Sequence, residues 1–165
     1  MSKVDLHVHS SYSEHPSDWF LQRLGAGESY TNPLFIYRTM KERGMDYVTI
    51  TDHNRIDGAL LLKKKYPEDV FVSVEATAYF PEDYCKVHIL IYDIDERQFE
   101  IIEQKRTNIY ELRDYLKEEN IVHSVAHATY SVNGLLKFHH LEKLVLLFDV
   151  FESINGGRNP INNVS

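Results

Sequence analysis

Asp5-Leu6-His7-Val8-His9-Ser10, at residues 5–10, is the stretch from which the rest of the chain is read. Side chains alternate along an extended backbone, so an H-x-H pair on such a segment turns both imidazoles to one side. Two neutral imidazoles held that close form a chelate for a borderline metal such as Zn, Mn or Fe. The apolar run from Val4 to Val8 predicts a short first strand that ends at this pair.

Working outward, similar pairings of apolar strand and polar end recur. Tyr47 to Ile50 predicts a second strand, ending in Thr51-Asp52-His53-Asn54. Phe71 to Ala76 predicts a third, with Glu75 inside an otherwise apolar Phe-Val-Ser-Val-Glu-Ala. Cys85 to Tyr92 predicts a fourth, with His88 in its middle, and Pro81-Glu82-Asp83 marks a turn before it. Ile121 to Ala126 leads to His127, and Val150 to Ile154 carries Glu152 and leads to Asn155.

Helix signals fill the intervals. Thr31 or Asn32 reads as an N-cap, Pro33 as the first helical residue and Gly44 as the stop. A second helix opens at Asp57-Gly58 and runs through Lys65. Phe99, Ile102, Ile109, Leu112, Tyr115 and Leu116 share the buried face of one long helix expected from Glu96 to Glu119. A last helix is expected within Leu135 to Leu147. Strands alternating with helices imply parallel pairing and an α/β class, as a barrel or an open sheet. In either form the functional face lies at the carboxyl ends of the strands.

Composition narrows the function classes. A chain of 165 residues fits one domain, residues 1–165. The net charge of −7 argues against a general nucleic-acid or anionic-membrane binder. A single cysteine, Cys85, rules out an internal disulfide and suits a reducing compartment, so a cytoplasmic location is expected. No stretch is long and apolar enough to span a bilayer; Leu60-Leu61-Leu62 runs straight into three lysines. A His or Glu inside an apolar strand must be paired, because burying an unpaired charge is costly. One such residue is unremarkable, but a set of them at successive strands points to shared metal ligation.

These residues resemble the ordered motifs of the PHP (polymerase and histidinol phosphatase) family. The match runs through Asp5–Ser10, Thr51–Asn54, Val74-Glu75, Val87-His88-Ile89-Leu90, Ala126-His127 and Phe151–Gly156. The resemblance implies a distorted seven-stranded β/α barrel with a two- or three-metal site, and hydrolysis of a phosphomonoester or nucleotide-type phosphoester. It implies that His7 and His9 hold the first metal, that Glu75 bridges to a second, and that His88 and His127 complete the second. His53 would hold a third with a residue of the loop after strand one, where the chain offers Glu14 and His15; His15 is the favoured ligand. Asp5 and Asp52 would orient imidazoles from behind rather than ligate. Metal-bound hydroxide would be the nucleophile, with His7, His9, His53 and Glu75 at the catalytic centre.

The departure is at the end. The family closes on an Asp-x-His motif in its last strand, and none follows Asn155. The expectation is a truncated barrel of about six strands, its closing strand supplied by downstream sequence of a longer protein. Alternatives are a PHP-type exonuclease or polymerase-associated domain, and a non-catalytic metal-binding module. A small phosphorylated substrate is the expected partner, with nucleic acid less favoured and no membrane. Arg55 and Arg158 each follow a rim motif and suit bidentate phosphate binding. Trp19 and Tyr30 are available for stacking from the irregular 10–31 stretch. His123, His139, His140, Cys85 and the lysines at 63–65 read as packing or surface residues.

Overall fold

A computed structural model describes residues 2–13 and 31–153. Within them the chain is mixed α/β, with five helices and a three-stranded sheet. In chain order these are α1 (Pro33–Glu42), α2 (Asp57–Lys65), β1 (Ser73–Tyr79), β2 (Lys86–Tyr92), α3 (Glu96–Lys105), α4 (Ile109–Glu118), β3 (His123–Val125) and α5 (Phe138–Leu147). The chain divides into two compact units, one of Met1–Glu75 with Tyr92–Asp95 and the other of Ala76–Ile91 with Glu96–Ser165.

In the first unit, α1 starts where its sequence signals say. The Asn32 side chain accepts a hydrogen bond from the Leu34 N–H, Pro33 takes the first turn, and Gly44 exits at φ 78°. Ile36 and Met40 turn inward, the helix packs against α2, and Ala59 and Leu62 of α2 are buried as well. Tyr37 stacks on Tyr66 with centroids 3.7 Å apart. The Tyr37 hydroxyl donates to Asp69, which also meets Lys41 at 2.8 Å. Burial pushes the Asp69 carboxyl up, but the bonds from Lys41 and Tyr37 outweigh it and hold it low.

Two of the expected strands are reduced here to extended segments. Val4 to Val8 forms no named strand, yet it lies along the next segment, with Thr51 donating its N–H to the Val8 carbonyl and Asp46 donating to that of Lys3. Tyr47 to Ile50 contributes a single parallel bridge, Val48 to Val70. A second parallel bridge, His53 to Glu75, ties the end of this segment to β1. The pairing keeps the expected direction at isolated points, while continuous ladders form elsewhere.

The second unit holds those ladders. β1, which starts in the first unit, and β2 are buried along nearly all their length, as expected of near-continuous apolar runs. The sheet order is β1-β2-β3, with Ile89 opposite Val125 and Leu90 opposite Ser124 in an antiparallel register. Antiparallel pairing corrects the parallel expectation for the named sheet. The residues between β1 and β2 form a tight turn, too short for the crossover a parallel pair needs, and Phe80 and Cys85 bond across it. Val150 to Ile154 likewise shrinks to one parallel bridge, Val125 to Phe151, among the described residues.

The long helix expected from Glu96 to Glu119 is two helices. α3 stops at Lys105, and Asn108 restarts the chain as N-cap of α4, accepting from the Tyr110 N–H at 3.0 Å. Arg106 in the break donates to the Thr77 carbonyl and to Glu103. Ile102, Ile109, Leu112 and Leu116 still share one buried core, because the break preserves their facing. No helix among the described residues is long and apolar enough to cross a membrane.

Candidate metal centre

The first unit gathers His7, His9, His53 and Glu75 around one point. Glu75 is fully buried in β1, and its Oε2 lies 3.1 Å from His7 Nε2, 3.1 Å from His9 Nε2 and 3.2 Å from His53 Nδ1. The two nitrogens of His7 and His9 are themselves 3.1 Å apart. The rings of His9 and His53 lie 4.8 Å apart at 31°. Side-chain exposure is low throughout, 11% for His7, 20% for His9 and 7% for His53, so the carboxylate faces imidazoles with little water between them.

Local sequence explains the convergence. The extended Asp5–Ser10 segment turns His7 and His9 to one side, as alternation requires. Asn54 donates its N–H to the Glu75 carbonyl at 3.1 Å, and Glu75 donates its own to the Asp52 carbonyl at 3.3 Å. These bonds fix His53 beside Glu75. Ser13 Oγ accepts the His53 N–H at 3.2 Å.

The donor set fits a divalent metal. A tetrahedral zinc site with bonds of ~2.0–2.1 Å to nitrogen and oxygen has ligand atoms roughly 3.3 Å apart along each edge. The 3.1 Å separations among His7 Nε2, His9 Nε2 and Glu75 Oε2 match that spacing, and His53 Nδ1 approaches the same oxygen at 3.2 Å. Neutral imidazole plus carboxylate is also the donor chemistry of Zn, Mn and Fe sites.

The second unit holds a histidine pair. His88, in β2, places its Nδ1 3.4 Å from Nε2 of His127, which follows β3, and the rings meet edge to face. Both are buried. His127 has an unusual φ of 28°, and its N–H donates to Glu152 Oε2 at 2.9 Å. Glu152, whose role the sequence leaves open, therefore holds the backbone that presents His127.

The remaining expected residues fall as follows. Asp52 is fully buried, and its carboxylate accepts two bonds from Ser10, one from the backbone N–H and one from the hydroxyl. Asp5 is exposed and caps the His7 N–H at 3.3 Å. Arg55 Nε lies 2.9 Å from Asp57. Glu14, His15, Trp19, Tyr30, Asn155 and Arg158 lie outside the described residues.

Sequence reasoning missed three contributors. Ser10 and Thr51 sit inside the quoted motifs, but nothing in the motifs shows that they bond to the opposite segment. Gly58 is the third: a Cβ there would stand 2.8 Å from both Asp52 Oδ2 and Ser10 Oγ. Of the two readings open for His140, packing or surface, the structure takes packing. The residue is fully buried, accepts the Lys137 N–H at Nδ1 and so carries its proton on Nε2, 3.0 Å from Asp83. With His139 it makes a further group of potential ligand atoms, but Nε2 in that tautomer donates to the carboxylate and offers a metal no lone pair. Cys85 is buried, and burial pushes its thiol up to about 11, which agrees with an inert packing role.

No family model matches the chain. The uncharacterised protein MJ1587 of Methanocaldococcus jannaschii is 39% identical over 62 residues, which are 38% of this chain and only 34% of that protein's length. Two solved structures share the fold. One, from Bifidobacterium adolescentis, is a provisionally assigned metal-dependent phosphoesterase, with a TM-score of 0.58, 15% identity, and coverage of 98% of this chain and 80% of that one. The other is an amidohydrolase from Chromobacterium violaceum, solved with sulfate and no metal, at a TM-score of 0.57 and 13% identity over the same shares.

Proposed function

We propose that the chain is a metal-dependent phosphoric ester hydrolase of PHP type, with His7, His9 and Glu75 as its first metal site. The observation that carries the reading is the meeting of the His7 and His9 nitrogens with one oxygen of a buried glutamate, all three 3.1 Å apart, at tetrahedral-edge spacing. The fold shared with the Bifidobacterium protein supports it, as does the motif resemblance. In the same reading His88 and His127 serve a further metal, His53 and His15 hold a third, and the chain builds a PHP-type β/α barrel.

A divalent metal bound there supplies Lewis acidity toward a phosphoryl oxygen and lowers the pKa of a coordinated water. The chain's own part is to hold the ligands in place before the metal arrives. Glu75 neutralises part of the metal's charge, and the nearly buried imidazoles keep solvent away from it. Arg55 and Arg158 are proposed phosphate contacts, the former after release from Asp57. A small phosphorylated molecule is the proposed substrate, and the cytoplasm the proposed location.

Metal analysis of the purified protein, followed by a phosphatase assay with added manganese, tests the reading. Stoichiometric Zn, Mn or Fe and metal-dependent release of phosphate from a small phosphomonoester are expected. Faster cleavage of a short oligonucleotide would replace the phosphatase by a nuclease. Bound metal without turnover on either would leave a metal-binding module.

A further inference from the structure

The histidines of the first unit stand on two segments that meet through residues beside them. Ser10 follows His9 directly, and Asp52 directly precedes His53. Both are completely buried. Asp52 Oδ1 accepts the Ser10 N–H at 2.6 Å, and Oδ2 accepts the Ser10 hydroxyl at 2.7 Å. The serine oxygen accepts the Tyr12 N–H at 3.2 Å, which turns its own proton toward the carboxylate. Two residues before Ser10 and one before Asp52, Val8 and Thr51 add three more bonds. Val8 N–H donates to Thr51 Oγ1 at 3.0 Å, while the Thr51 N–H and hydroxyl reach the Val8 carbonyl at 2.8 and 3.2 Å.

A buried carboxylate is costly unless its oxygens are hydrogen-bonded, and charge-assisted bonds of this length are the strong kind. The first turn of α2 closes over the pair. Gly58 leaves the space that a Cβ would deny, since that atom would stand 2.8 Å from both partners. The carboxylate also lies near the N-terminal end of α2, where the helix dipole favours negative charge.

We infer that Ser10 and Asp52 form a positioning clamp that sets the spacing of His9 from His53 and so tunes the affinity of the site for its metal. The inference rests on the metal-site reading above and deepens it. Neither residue is a ligand; each acts through the histidine next to it. The clamp accounts for a serine after H-x-H and an aspartate before His53 as one device in two pieces.

The test uses the full chain with Asp52→Ala, Asp52→Asn, Ser10→Ala and the Ser10→Ala/Asp52→Ala double variant. Asn108→Ala, which loses the α4 cap, is a remote destabilised control. Cobalt(II) affinity is read by titrating the visible band, and the His9 and His53 ring signals are read by NMR in metal-free protein. Asp52→Ala should weaken cobalt binding about 10–100-fold. Asp52→Asn, which keeps one acceptor, should fall between it and the parent. The double variant should lose little beyond Asp52→Ala, as expected of partners in one interaction. The control should lose stability and keep its cobalt affinity.

Parent-like affinity and unmoved ring signals in Ser10→Ala and Asp52→Ala would overturn the clamp, even if both melt early. Should Asp52→Ala fail to fold, Ser10→Ala and Asp52→Asn decide on the same readouts. If the parent binds no cobalt, zinc or manganese, the metal-site reading fails by itself. The clamp is then judged in metal-free protein: loss of the His9–His53 ring contact in the variants supports it, and retention overturns it.

Discussion

Glu75 is the residue on which the candidate site turns. Its oxygen faces three imidazoles from a fully buried position in β1, so its charge matters more than its volume. Glu75→Gln keeps the shape and removes the anion. Metal affinity should fall at least tenfold with little change in metal-free melting temperature; parent-like affinity by isothermal titration would exclude Glu75 as a ligand. Glu82 provides a residue-scale pH prediction away from the site. Burial raises its carboxyl, but hydrogen bonds from Lys143 and Tyr110 outweigh that and hold it at about 2, against an ordinary 4.5. The folded value is the lower one, so the contribution to stability is present above pH 4.5 and lost as pH falls toward 2. Glu82→Gln should flatten the acid limb of the unfolding profile in that window. The ion pair is partly exposed, so the effect should be small.

At the scale of elements, the loop-to-helix junction at Gly58 is the point most sensitive to added volume. Gly58→Ala inserts a methyl group against Asp52 and Ser10 and should cost about 1–3 kcal/mol by chemical denaturation. It should weaken metal binding as well, because the atoms it strikes belong to the segments that carry His9 and His53. A variant at parent stability would show that α2 shifts freely. The split of the expected long helix also belongs here. Its apolar spacing was legible, but a continuous period hides a break that keeps the same face inward, and the Asn108 cap emerged only in the structure. Asn108→Ala should cost about 1 kcal/mol, measured by thermal melting.

For the whole molecule, the expected signature of the metal site is linkage. A ligand that binds only the folded chain stabilises it by about 2.7 kcal/mol at a hundred times its Kd. For a chain of 165 residues that predicts a rise in Tm of several degrees on adding zinc or manganese. Glu75→Gln should lose most of the rise; an equal rise in parent and variant would place the metal elsewhere. Magnesium in the same assay separates specific ligation from a general response to divalent ions, since a nitrogen-rich site favours the borderline metals.

Sequence alone singled out the residues proposed to carry the chemistry. His7, His9, His53, Glu75, His88 and His127 stand out because His and Glu in apolar strands need partners, and alternation sets the facing of His7 and His9. It also determined the α/β class and most helix limits, because caps and periodicity are local. Tertiary structure decided what local rules do not reach. β1 and β2 pair as an antiparallel hairpin, because the connection is too short for a crossover. Val4 to Val8 and Tyr47 to Ile50 lie side by side with few ladder bonds, because the side chains of Ser10, Thr51 and Asp52 carry much of the pairing. The separation of His9 from His53 depends on bonds between residues more than forty positions apart, and no spacing along the chain encodes a distance of that kind.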